Sequence, residues 1–286
     1  MTNTNRLSTH AAEQAKRLVE NVTAKMKSAL LDTNPEEVHQ LRVALRRCQQ
    51  SFRMAGGRMA RGRKHTDQPC WNELLTCAGE VRDHDIAIAR LQVEVDNGTL
   101  TRDFIERLVA KREQLADQLR THMDQNLSAH NAQEQPLHIP ENEHGDVEPR
   151  LRKLASKYLR LGRKAAGEDS TVRQLHRFRL SAKRLRYSLE LFQTFHPKAL
   201  AEVIAEVRTV QTCLGEANDC RTIRKMLRRM STSDVLTHKL AKQLKREQKH
   251  KISRLREHWA KYFGHPKNEH AWLKNLNPLC GPDRNG

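Results

Sequence analysis

Apolar positions recur along this chain in steps of three and four. Val38, Leu41, Leu45, Cys48, Phe52 and Ala55 keep that spacing through VHQLRVALRRCQQSF and just beyond it. Leu175, Phe178, Ala182, Leu185, Leu189 and Phe192 keep it through LHRFRLSAKRLRYSL. Such a stripe is the seam of a helix packed in a bundle. Runs alternating with period two are absent, and Gly (12) and Pro (9) are sparse, so the expected fold is all-α.

The two segments also match each other at an offset of 137 residues. His39 falls on His176, Arg42 on Arg179, Arg46 on Lys183 and Arg47 on Arg184, and the seam residues coincide as well. A second pair, TCAGEVRDHD (76–85) and TCLGEANDCR (212–221), aligns at an offset of 136 and sets Gly79 on Gly215 and Asp83 on Asp219. Matches that keep their order and spacing point to an internal duplication.

Each half divides into four helices. The pattern predicts 6–31, 35–56, 68–96 and 100–128, then 147–167, 171–196, 198–230 and 234–263. Asn34 before Pro35 reads as a helix start, and Asp169 or Ser170 reads as the matching cap in the second half. The first bundle is expected over 5–128 and the second over 149–263. Residues 129–148, polar and proline-rich, form the expected linker. The tail 264–286 is punctuated by Pro and Gly and is expected to be loosely ordered, with Trp272, Leu273 and Leu276 docking part of it.

Charge changes the picture most. Lys and Arg number 52 against 34 Asp and Glu, a formal net charge of +18. That balance calls for a polyanionic partner such as nucleic acid, an acidic membrane surface or a phosphate polymer. No stretch approaches the ~20 apolar residues of a membrane span, and no apolar leader opens the sequence, so a cytoplasmic protein without a membrane partner is expected. The six cysteines form no CxxC pair and read as small core residues in a reducing compartment.

The cations are ordered, not scattered. His176, Arg179, Lys183 and Arg186 step by three, four and three beside the apolar seam and span about 15 Å of helix. His39, Arg42 and Arg46 repeat the stripe, with Gln49 in place of the last arginine. In the preceding helix of the second half, Arg150, Lys153, Lys157, Arg160 and Lys164 make another stripe, opposite Leu151, Leu154, Tyr158 and Leu161. A line of guanidinium and ammonium groups suits a linear chain of phosphates. His39 and His176 read either as phosphate donors or as structural caps; no Asp, Glu, His or Cys three or four residues further on completes a metal pair. Asp83 and Asp219 read as carboxylates that orient basic residues across helices, in preference to Mg²⁺ ligands.

VHQLRVALRR, LHRFRLSAKRLRYSLELF, GEVRDHD and LGEANDC together resemble the CHAD family, the α-helical domain named for its histidines. The resemblance covers roughly residues 5–263. It implies two four-helix bundles related by a pseudo-twofold axis, a basic central groove that binds inorganic polyphosphate, and association with polyphosphate granules. The binding residues it implies are His39, Arg42, Arg46, Arg47, His176, Arg179, Lys183, Arg184 and Arg186. Cys48-Gln49 departs from the family's usual Leu-Arg, which leaves the first-half stripe one charge short. Nothing here resembles the acidic catalytic domain fused to many relatives.

The expectation is therefore a non-catalytic polyphosphate-binding protein without a cofactor or metal, its groove extended by Lys153, Lys157, Arg160 and Lys164. A nucleic-acid-binding helical protein is the alternative, with the 234–263 helix and its nine Lys and Arg as a separate contact surface. Aromatics at 4% leave few platforms for stacking bases. A polyphosphate hydrolase would need an acid cluster for Mg²⁺, for which Glu80, Asp83, Asp85, Glu216 and Asp219 are the acids near the repeats.

Overall fold

The computed structural model describes residues 3–55, 71–132, 147–230, 235–274, Leu276 and Leu279. They form α1 (Asn3–Leu31), α2 (Pro35–Met54), α3 (Trp71–Asp96), α4 (Arg102–Ala132), α5 (Val147–Ala166), α6 (Val172–Phe192), α7 (Pro197–Met230), α8 (Val235–Phe263) and α9 (Pro266–Lys274). No strand occurs among the described residues.

The helix starts follow from local chemistry. Asn34 caps α2, its Oδ1 accepting from the backbone N–H of Glu36 and of Glu37 at 2.9 Å each, while Pro35 occupies a position with no intrahelical donor to lose. The start of α6 differs from expectation. Thr171 is the cap, one residue beyond Ser170, and it forms a capping box with Gln174. Gln174 returns the bond to the Thr171 N–H, a reciprocity that Asp169 and Ser170 lack the partner for.

Within the first half, α1 packs on α2, α2 on α3, α3 on α4 and α4 back on α1; the second half repeats the circuit with α5 to α8. Between halves, α1 meets α5, α2 meets α6 and α3 meets α7. Like helices thus face like, the arrangement a pseudo-twofold axis produces. All six predicted seam positions of α2 are buried, as are all but half-buried Leu175 in α6.

One apolar core runs through both halves. A smaller one gathers Leu91 of α3, Leu108 of α4, Ile223 and Leu227 of α7 and Leu240 of α8. Buried polar groups fix how the halves meet: Gln50 Nε2 of α2 donates to Ser188 Oγ of α6 at 2.8 Å. A buried, directional bond of this kind sets register as well as stability.

Trp272, Leu273 and Leu276 dock part of the tail as expected, but that part is helical where a loose segment was expected. Residues 266–274 are helical, and Trp272, Leu276 and Leu279 are buried. Trp272 stacks on Tyr158 with centroids 5.7 Å apart, inside an aromatic cluster with Phe178, Trp259 and Phe263. The aromatic surface this buries outweighs the turn-forming residues around it. Most of the expected linker lies outside the described residues; α4 runs on through Ala132 and α5 begins at Val147. Four cysteines are unpaired thiols, with Cys48, Cys213 and Cys220 buried and Cys77 half-buried; Cys70 and Cys280 lie outside the described residues.

Candidate anion-binding site

The facing of α2 on α6 and of α3 on α7 leaves an open-sided cavity of about 500 Å³ between the halves. From α2 come His39, Arg42, Arg46 and Arg47; from α6 come Arg179, Lys183, Arg186 and Tyr187. α3 adds Arg82 and Asp83, and α7 adds Gln211 and Asp219. The stripes that repeat in sequence therefore become the two walls of one cavity. The Gln50–Ser188 bond holds the walls in register one turn beyond Arg46 and Lys183.

These cations crowd one another. Burial lowers the Arg42 pKa to about 10, and Arg46 and Arg179 push it the same way, against Asp83. Burial lowers the Lys183 pKa to about 6, reinforced by Arg179, Arg46 and Arg42 and opposed by Asp219. Arg46 is lowered by burial, with Arg179 and Arg184 adding to it. Among the described residues, Arg46 Nε and Arg179 Nε are buried without a hydrogen-bond partner. Donors held like this, in a region already rich in positive charge, are what an incoming oxyanion needs.

The two acids cannot balance them. Asp83 acts on Arg42, and Asp219 on Lys183. Burial raises the Asp219 carboxyl even though Arg179 stands beside it. Each acid acts on a cation of the cavity through its charge, and Asp219 also accepts a hydrogen bond from Asn218. Asp85 and Glu216 are spent elsewhere: Asp85 accepts from Arg112 Nε at 3.0 Å, and Glu216 pairs with Lys251 at 2.8 Å. Among the described residues no group of His, Cys, Asp and Glu is arranged to hold a metal ion.

Gly79 shapes the cavity wall. A Cβ there would stand 2.6 Å from Arg42 Nη1, so only glycine leaves room for this guanidinium to lie across α3, where it donates to the Leu75 carbonyl at 3.4 Å. Gly215, its counterpart, has open space around it. The halves share a plan but not their details.

The sequence-predicted residues separate in space. His39, Arg42, Arg46, Arg47, Arg179, Lys183 and Arg186 line the cavity. His176 does not; it lines a small neighbouring pocket with Arg179, Asn218 and Arg221. Burial lowers the pKa of both histidines, with Arg82 adding to it at His39 and Arg179 at His176. Arg184 is exposed and off the cavity wall. Lys153, Lys157, Arg160 and Lys164 are exposed on α5, which contributes nothing to that wall. The α5 stripe looks the same in sequence as the α6 stripe, but α5 packs against α1, α6 and α8, which turns its cations outward. Sequence reasoning missed Arg82 and Gln211. Arg82 had a signal, since it adjoins Asp83 in a repeated segment; Gln211 had none.

Residues 11–228 match the family model of the CHAD domain. A solved structure described as the CHAD domain from the plant Ricinus communis matches with a TM-score of 0.52 and 19% identity, covering 95% of this chain and 91% of that one. At that identity the likeness concerns the fold. A search of the curated proteins found no match.

Proposed function

Because the chain belongs to the CHAD domain family, we propose that it binds inorganic polyphosphate, non-catalytically, in the cavity between its halves. The observation that carries this reading is the cavity wall itself. Two helices from opposite halves present Arg42, Arg46, Arg179 and Lys183 to one cleft, where burial and neighbouring cations already depress the pKa values of Arg42, Arg46 and Lys183. A linear polyanion relieves that repulsion and satisfies the idle Nε donors.

One feature favours a phosphate chain over nucleic acid. Among the described residues the Tyr, Phe and Trp lining of the cavity is Tyr187, whose ring is covered by Arg186 at 4.5 Å from its centroid, so it offers a base no open platform. The non-catalytic reading rests on Asp83 and Asp219 each facing a cation, which engages them as counter-charges. Association with polyphosphate granules in the cytoplasm is the setting such binding suits.

The test is a titration with long-chain polyphosphate at two salt concentrations, with single-stranded RNA as competitor. Wild type is compared with the Arg179→Ala/Lys183→Ala variant. Salt-sensitive binding that resists RNA and collapses in the double variant supports the reading. Binding that RNA displaces readily would favour the nucleic-acid alternative, and binding indifferent to the two substitutions would move the site off this cavity.

A further inference from the structure

A second cavity of about 410 Å³ adjoins the first and shares Arg47 and Tyr187 with it. Gln14 of α1, Gln193 just past α6 and Arg208 of α7 also line it, as does Glu190 of α6. Glu190 meets three arginines from three helices. Its Oε1 lies 3.4 Å from Arg186 Nη1 and 3.4 Å from Arg208 Nη2, and its Oε2 lies 3.6 Å from Arg47 Nη2. The carboxylate is 14% exposed, whereas Arg47 and Arg208 are 51% and 61% exposed. Oε2 is buried and, among the described residues, accepts no hydrogen bond. One acid therefore pairs with three cations, two of them exposed, where the linings of two neighbouring cavities meet.

We infer that this second groove receives the end of a polyphosphate chain emerging from the central cavity, and that Glu190 is a resident counter-anion from which the chain takes over Arg47, Arg186 and Arg208. The inference rests on the polyphosphate reading of the central cavity. Glu190 lies seven residues beyond Lys183 on α6, about 10 Å along the helix, so the path continues the same cationic line. The pairs with the exposed Arg47 and Arg208 contribute little, so phosphate oxygens exchange for the carboxylate readily at those two; Arg186, 15% exposed, already lines the central cavity and is reached from there. The carboxylate keeps the arginines ordered and the groove's field moderate until a chain arrives. Short chains contained in the central cavity do not engage Arg208.

The experiment compares long-chain polyphosphate with tripolyphosphate on wild type, Glu190→Gln, Arg208→Ala and Arg179→Ala/Lys183→Ala, each checked for folding by circular dichroism. Glu190→Gln keeps the side chain's shape and removes its charge, and should tighten long-chain binding by about three- to ten-fold. Arg208→Ala, an exposed change that tests the groove independently, should weaken long-chain binding several-fold more than tripolyphosphate binding. Long-chain affinity that is not raised by Glu190→Gln, or not lowered by Arg208→Ala, overturns the inference. If binding is still lost in Arg179→Ala/Lys183→Ala, the central-cavity reading survives that failure. If wild type binds neither phosphate, both fall together.

Discussion

Arg42 lies across α3 because Gly79 offers no Cβ beneath it, so a glycine outside the cavity lining sets where a lining cation rests. Gly79→Ala should displace the guanidinium from the Leu75 carbonyl and weaken polyphosphate binding several-fold. Gly215→Ala, with open space at its counterpart, should instead raise stability by up to about 1 kcal/mol through helix propensity. Titration and thermal melts on the two variants separate the effects. Lys183 gives a second prediction. Its folded-state pKa of about 6 lies below its ordinary value of 10.5. Between those values the unfolded chain binds the extra proton, so this group makes stability rise with pH. Melts of the ligand-free protein from about pH 6 to about pH 9 should show that rise, and Lys183→Met should flatten it. The same substitution should stabilise the ligand-free fold while weakening binding. Polyphosphate reverses the balance by favouring the ammonium, so binding near neutral pH takes up protons. Calorimetry in two buffers of different ionisation enthalpy measures that uptake.

At the scale of helices, α9 converts an expected loose tail into part of the fold. Trp272→Ala should cost about 3–5 kcal/mol, since its ring is buried among Tyr158, Phe263 and their neighbours. Chemical denaturation measures this loss. Gly162 of α5 sits so close to the Trp259 ring that a Cβ would overlap it, so Gly162→Ala should cost about 1–3 kcal/mol by overpacking the same cluster. The eight long helices were legible in sequence because a seam of period 3.6 reports burial directly, and α2 and α6 were recognisable as equivalents because their seams and their cations repeat together. The outward turn of Lys153, Lys157, Arg160 and Lys164 was not legible. Periodicity says which residues share a face; it does not say whether a polar face looks onto solvent or onto another helix. The Thr171 cap escaped notice because Asp169 and Ser170 are equally good cap types one and two residues earlier. The helicity of α9 was hidden by the prolines and glycines that flank it.

Across the whole molecule, the two halves meet through an apolar core and also through a cavity where their charges repel. Added salt should therefore raise the melting temperature of the ligand-free protein by screening that repulsion, while it weakens polyphosphate binding by reducing the gain from counterion release. Long-chain polyphosphate at low salt should raise the melting temperature by mass action, and the Arg179→Ala/Lys183→Ala variant should lose most of that rise. Opposite salt responses of the free and bound protein are the signature of a seam that its ligand neutralises. A buried cation away from the cavity is paired: Arg112 holds Asp85 and the Thr33 carbonyl, tying α4 to α3 and to the turn before α2. The contrast sets the cavity apart as a place where pairing has been left incomplete.

The facing of α2 on α6 has a historical consequence. Each half supplies one wall, so a single half would have no such cleft. Two identical copies meeting about a twofold axis would form one, with contacts repeated on either side. Joining such copies in one chain would replace an assembly that dissolves on dilution with one that does not. It also released the halves from identity, and Gln49 opposite Arg186 and the crowded Gly79 opposite the open Gly215 are the marks of that release.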